Sequence, residues 1–225
     1  MSNDNVNKTE VRTVEQAVEL IPTFKKTKFT SSVDIDIVLN LKEKQMKESV
    51  RGSIELPHTF GSDKKVVVLC ADTAKIADAK KVGAVAAGLD DVVEGLMEGK
   101  IEFDVVVATP DVMPKIVKLG KVLGPKGLMP NPKNGSVGED VKKMVEAFKG
   151  GKISFKMEQG QATIRGKVGT VDMKSEELVA NIMAYLKGVV NEARKLSASP
   201  LKKVILTTTM GSGIKLDIND IMSRI

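Results

Sequence analysis

Polar and apolar positions along this chain follow two rhythms, one in the outer sections and another in the middle. In the first section Val33, Ile35, Ile37 and Leu39 alternate with Asp34, Asp36 and Val38. Successive strand side chains point to opposite faces, so this period of two predicts a strand with one face in the core and one in water. A lysine-rich turn at 42–47 and a second such run at 50–56 follow. Ahead of them, Thr13-Val14-Glu15-Gln16 has the spacing of a capping box, in which Thr and Gln side chains satisfy each other's orphan amides. Val18, Leu20 and Ile21 then supply an apolar stripe.

After Gly61-Ser62-Asp63 the rhythm changes. Val66-Val67-Val68-Leu69 is an unbroken apolar run, as expected of a strand covered on both faces. Helical patterns at 73–81 and 90–98 alternate with short apolar segments at 85–87 and 105–107, and Asp111 is placed to cap a further helix toward Leu123. Strands alternating with helices imply βαβ units and a parallel sheet. The stretch from Gly124 to Gly135 holds three prolines and three glycines in twelve residues, which excludes helix and central strand. A helix at 139–149 closes the section. From Lys152 the period returns to two, in Ile153 and Phe155 and then at 163–168. Ser175 is placed to cap a long helix with Leu178, Ile182, Tyr185 and Val189 on one stripe, and a last strand is expected at 203–208. The two ends share a grammar that the middle lacks. The expected fold class is therefore α/β and α+β in two domains. Residues 1–64 and 155–225 form a split α+β domain with a mainly antiparallel sheet, and residues 65–154 an inserted βαβ domain. Crossings near 62–65 and 151–155 would act as a double hinge.

Composition narrows the chemistry. One cysteine, Cys70, excludes an internal disulfide, and with one histidine, His58, a zinc hydrolase or a Cys/His pair has almost nothing to be built from. No tryptophan and one tyrosine disfavour an aromatic stacking platform. No apolar run is long enough to span a membrane and no signal-peptide core opens the chain, which points to a cytoplasmic protein. A net charge of +6 suits a polyanionic partner, but the basic excess is spread over both sections and does not choose between them.

Three stretches invite a functional reading. The Gly/Pro loop, with Lys121, Lys126 and Lys133, is either a backbone cradle for phosphate or a rigid connector; it matches neither a Walker A loop nor GxGxxG. Gly211-Ser212-Gly213 opens like a dinucleotide fingerprint, but Leu216 stands in place of the third glycine. Phe29, between Lys28 and Thr30-Ser31-Ser32, and the run Thr207-Thr208-Thr209-Met210-Gly211 each set hydroxyls beside an apolar side chain. Such groups suit an RNA minor groove, and they equally suit a threonine-rich strand edge and a core phenylalanine. An enzyme binding a phosphorylated small molecule at the Gly/Pro loop is the rival reading; it lacks any acid, base or nucleophile set.

The stretch Leu123-Gly-Pro-Lys-Gly-Leu-Met-Pro-Asn-Pro-Lys133 resembles the signature of the ribosomal protein L-one family, in its bacterial form. Phe103-Asp-Val-Val-Val-Ala-Thr-Pro-Asp111, Val50-Arg-Gly-Ser-Ile-Glu-Leu-Pro-His58, Lys28-Phe29 and Thr207-Thr-Thr-Met-Gly211 are similar to other family motifs in the same order. The resemblance implies a non-enzymatic constituent of the large ribosomal subunit that needs no cofactor, is a monomer off the ribosome and binds 23S rRNA at the mobile stalk. It further implies exit-site transfer RNA as a partner, with help in releasing deacylated tRNA, and repression of the protein's own messenger RNA. It implies that the inserted domain is Rossmann-like and that Lys28, Phe29, Ser32, Arg165, Thr209, Met210 and Gly211 lie at the RNA surface of the split domain; Lys167 is expected beside them as a phosphate contact, and Lys121, Lys126 and Lys133 as secondary contacts. Two positions depart from the family pattern: Thr170 replaces a usual lysine, and Arg165 stands where many members carry histidine.

Overall fold

The structure, a computed structural model, describes residues 10–23, 29–41, 50–61, 64–97, 103–117, 120–124, 128–158 and 161–225. Along the chain run β1 (Val11–Arg12), α1 (Val14–Leu20), β2 (Ser32–Leu39), β3 (Arg51–Glu55), β4 (Val66–Leu69), α2 (Thr73–Lys81), β5 (Ala86–Gly88), α3 (Asp90–Met97) and β6 (Val105–Ala108). They are followed by α4 (Met113–Ile116), α5 (Gly120–Leu123), α6 (Val141–Lys149), β7 (Lys152–Lys156), β8 (Thr163–Thr170), α7 (Ser175–Ala193), β9 (Leu201–Thr208), β10 (Ile214–Leu216) and α8 (Ile218–Arg224). The chain divides into two compact units, Met1–Gly61 with Ile153–Ile225, and Ser62–Lys152.

The first unit is built on a five-stranded sheet in the order β1-β10-β9-β2-β8. It is antiparallel except for the edge pair β1–β10. Alternation in β2 sets its layers: Val33, Ile35, Ile37 and Leu39 are buried, while the positions between them are only half-covered. The buried face packs against Leu178, Ile182, Tyr185 and Leu186 of α7, Val14 and Val18 of α1, and Ile221 of α8. Burying side chains of this size is worth about 1.5–3 kcal/mol each, so this layer carries much of the unit's stability. Two close approaches fix its packing. A Cβ on Gly166 of β8 would lie 2.2 Å from the Tyr185 hydroxyl, and one on Gly188 of α7 would lie 2.4 Å from Ile54 of β3. Glycine is therefore required where the Tyr185 ring passes beneath β8 and where β3 seats on α7.

The one fully buried amide of α7, Asn181, is satisfied three times. Its Oδ1 accepts the His58 N–H at 3.0 Å, and its Nδ2 donates to the His58 carbonyl at 2.9 Å and the Val168 carbonyl at 3.1 Å. It pins the segment after β3 to β8.

The second unit has a three-stranded parallel sheet in the order β5-β4-β6. All four residues of β4 are buried, as the continuous run requires, but they divide between two cores. Val67 and Leu69 face Val92, Leu96, Ile116 and Leu123, whereas Val66 and Val68 face Ala79, Val141, Val145 and Phe148.

Several local expectations are corrected. Thr109, not Asp111, occupies the cap position of a 3₁₀ turn, Pro110–Val112, and the described helical residues toward Leu123 are α4 and α5. Lys174 rather than Ser175 stands at the N-cap position of α7, without a side-chain cap bond, because Ser175 is already the first helical residue. The strand at 201–208 is not the last: the chain turns at Met210 and Gly211 into β10, then into α8, capped by Asp217 accepting the Asn219 N–H at 2.9 Å. The lysine-rich turn at 42–47 lies outside the described residues.

Candidate nucleic-acid interface

The uncovered face of the five-stranded sheet and the loops at one of its ends gather most of the residues singled out in the sequence. At that end β2 begins at Ser32, opposite the last residue of β8, Thr170, and Val33 pairs with Thr208 at the end of β9. The loops leaving these strands are tied together. Thr209 Oγ1 accepts the Ser32 N–H at 3.2 Å, and the Thr209 N–H donates to the Ser32 carbonyl at 3.0 Å. The Val171 N–H donates to the Ser31 carbonyl at 3.0 Å, and Thr30 Oγ1 donates to Asp172 Oδ2 at 2.8 Å. Residues 30–32, 170–172 and 208–211 thus form one cross-linked rim.

Met210 projects from this rim. The Gly211 N–H closes a turn on the Thr208 carbonyl at 2.8 Å, and Met210 within it has φ 66°. It is the one non-glycine residue with positive φ among the described residues. A left-handed conformation costs an L-residue roughly 1–2 kcal/mol. Here it presents an apolar side chain that is 86% exposed. Strain and exposed apolar surface at one position are both unfavourable for folding alone, and together they mark a contact surface. Phe29, on the loop entering β2, is 56% exposed. Ser32 and Thr209 are half-buried, and Gly211 is exposed.

Behind the rim, cross-strand register builds two rows on the open face. Lys167, Asp34 and Thr207 stand side by side on β8, β2 and β9, and Arg165, Asp36 and Ile205 form the next row. All of these but Ile205 line a shallow groove of about 410 Å³, with Gly166 in its wall. Arg165 Nε lies 3.3 Å from Asp36 Oδ1, and its NH1 lies 3.6 Å from Glu158 Oε1. Lys167 Nζ sits 5.3 Å from the centroid of the Phe60 ring, within cation–π range. Partial burial pushes the Asp34 carboxyl above its ordinary range, opposed by the attraction of Lys167 and aided by repulsion from Asp36. Sequence reading treats Asp34 and Asp36 only as the wet side of a strand; their pairing needs a register that no local pattern carries.

Lys28 and Lys126 lie outside the described residues, as do the side chains of Lys121 and Lys133. The described part of the Gly/Pro loop is a tight turn laid against β6. Ser136 Oγ accepts the Asn131 N–H at 2.8 Å and donates to its carbonyl at 3.1 Å, and Val137 bridges to Ala108. These bonds are those of a rigid connector. Elsewhere in the second unit Cys70 is buried at the end of β4, and burial pushes its thiol pKa up, away from the reactive thiolate. His58 offers its backbone to Asn181. Among the described residues no three His, Cys, Asp or Glu side chains are grouped to hold a metal ion, and no helix is long and apolar enough to cross a membrane.

A rim with an exposed apolar tip, beside a face of hydroxyls and paired charges, has the make-up of a binding surface. Comparison with known proteins gives this class its family. The model of the ribosomal protein L1p/L10e family matches residues 21–212. The large ribosomal subunit protein uL1 of Amoebophilus asiaticus (strain 5a2) is 38% identical over 206 residues, covering 91% of this chain and 88% of that protein. The chain belongs to the ribosomal protein L-one family. It is thus a ribosomal protein of translation, of an RNA-binding type and not an enzyme, and works on the ribosome in the cytoplasm.

Proposed function

We propose that this protein is a constituent of the large ribosomal subunit that binds 23S rRNA at the mobile stalk, through the rim of its five-stranded sheet. The observation that carries the reading is Met210, held at φ 66° and exposed on a turn that Thr209 locks to Ser32. In this reading Phe29 and Met210 lie flat against ribose and base edges. Ser32, Thr209 and Gly211 meet 2′-hydroxyls and backbone, while Lys28, Arg165 and Lys167 reach phosphates. Lys121, Lys126 and Lys133 add secondary contacts. Residues 1–64 and 155–225 act as the RNA-binding domain, and 65–154 as an inserted Rossmann-like domain joined by a double hinge. The stalk then moves with exit-site transfer RNA and assists its release when deacylated. The same surface binds the protein's own messenger and represses its translation. Off the ribosome the protein is a monomer.

A binding titration tests this, with a stalk-region rRNA fragment against a shuffled RNA of equal length at two salt concentrations. Tight binding that resists competitor and salt is expected; equal, salt-sensitive binding of both RNAs would overturn the reading. Thr209→Val keeps the volume but unties Ser32, and should weaken fragment binding by about 1–3 kcal/mol. Lys167→Ala should flatten the salt dependence by about one counterion.

A further inference from the structure

We infer that Asp34 and Asp36 are specificity-determining residues, whose carboxylates occupy the cations of the open sheet face and deny them to any RNA not already seated on the rim. The inference rests on the RNA-binding reading above and adds to it the element that rejects wrong partners.

The groove lies directly behind the rim on the same sheet face. Its two cations, Arg165 and Lys167, stand opposite two carboxylates in adjacent register rows. Directly paired residues in an antiparallel sheet have Cβ atoms only about 4.5–5.5 Å apart, so these charges act on each other at short range. The guanidinium of Arg165 is the group best shaped to grip a phosphate with two parallel hydrogen bonds. Here it already faces Asp36 at 3.3 Å and Glu158 at 3.6 Å. Lys167 is held between the Asp34 row and the Phe60 ring.

Bare cations in a concave site would have the opposite effect. Phosphate contacts attract every RNA alike, and the same face also carries Lys203 opposite Val38 and Lys215 opposite Ile205. Discrimination is a difference between two affinities, and a repulsive element against the wrong partner raises it as effectively as a new contact to the right one. Asp34 and Asp36 are that element. An RNA that fits the rim holds its backbone over the groove long enough for phosphate to displace the carboxylates from Arg165 and Lys167. An RNA that does not fit meets carboxylates there. Asp34 is kept half-buried and its charged form is penalised by that burial, so stability alone does not account for a carboxylate at this position.

The test uses the full-length protein with Asp34→Asn, Asp36→Asn and both together, titrated against the stalk-region rRNA fragment and the shuffled RNA over a range of salt. Thermal melts accompany each variant. The double variant should bind the shuffled RNA about tenfold tighter or more, with a salt slope steeper by about one to two, while fragment affinity changes less than about threefold. An unchanged ratio of the two affinities in a variant that melts like wild type overturns the inference. A wild-type protein that does not prefer the fragment overturns the RNA-binding reading itself, and with it this one. Arg165→Ala changes an exposed side chain and supplies an independent measurement. It should lower fragment affinity several-fold and leave shuffled-RNA binding within about twofold. Equal losses on both RNAs would mean that any phosphate already reaches Arg165, and would overturn the inference.

Discussion

The sheets of the two units use the same kinds of side chain for opposite ends. In β4 every residue is buried, odd positions facing one helix layer and even positions the other. In β2 the odd positions are buried and the even ones are left to water. A strand covered on both faces has no position at which a polar side chain can be placed without desolvation, so it can only hold a core together. A strand covered on one face can keep its core while its other face is rewritten residue by residue. Ser32, Asp34 and Asp36 stand at such positions, and so do their neighbours Arg165, Lys167 and Thr207. The chemistry of this protein gathers on the sheet that stability leaves half free.

This contrast can be broken by direct measurement. Val68→Lys would set an ammonium in a doubly covered core with no partner and should cost about 3–5 kcal/mol in a urea unfolding curve. Asn181→Ala leaves His58 and Val168 backbone groups without their buried partner and should cost about 2–3 kcal/mol. Thr13→Ala removes a complete capping box at the start of α1, where loss of a cap is worth about 1 kcal/mol.

A subtler effect concerns the ion pair between Glu15 and Arg224, which joins α1 to α8. Hydrogen bonding from Arg224 holds the Glu15 carboxyl below its usual range. A carboxyl with a folded-state pKa below its unfolded value contributes stability that is present above the unfolded value and lost as pH falls through the folded one. Wild type should therefore exceed Glu15→Gln in stability at pH 7, and the difference should close on the acid side of the ordinary carboxylate range. Smallest of all, Val38→Thr on the open face of β2 should change stability by less than about 0.5 kcal/mol. A loss like that of Val68→Lys would remove the distinction between the sheets.

Much of this architecture was legible in the residues, and what was hidden has a common cause. The alternation of Val33 to Leu39, the run Val66 to Leu69 and the spacing Thr13 to Gln16 each encode their local environment within a few residues. The structure places them in a one-sided strand, a two-sided strand and a capped helix. Features set by distant partners were missed. β1 is two residues long and exists only because β10 lies beside it, and β10 is itself three residues long. At the candidate site the residue types around Phe29 and Thr209 were visible in the sequence. The bond from Thr209 to Ser32, the left-handed Met210 and the pairing of Asp36 with Arg165 were not, because each joins segments far apart in the chain or fixes a dihedral angle.

The position of β2 also sets a timetable for synthesis. Its two neighbours, β8 and β9, are both encoded after the whole second unit, since Val38 pairs with Thr163 on one side and with Lys203 on the other. At roughly 5–20 residues per second, a nascent chain holds β2 without either partner for on the order of ten seconds. During that interval five large apolar side chains stand in an extended, β-prone segment, the kind of segment that associates between chains. Asp34 and Asp36 interrupt it at alternate positions, as charged gatekeepers do in strands that must wait. The same two carboxylates that screen the finished sheet would thus guard the unfinished one.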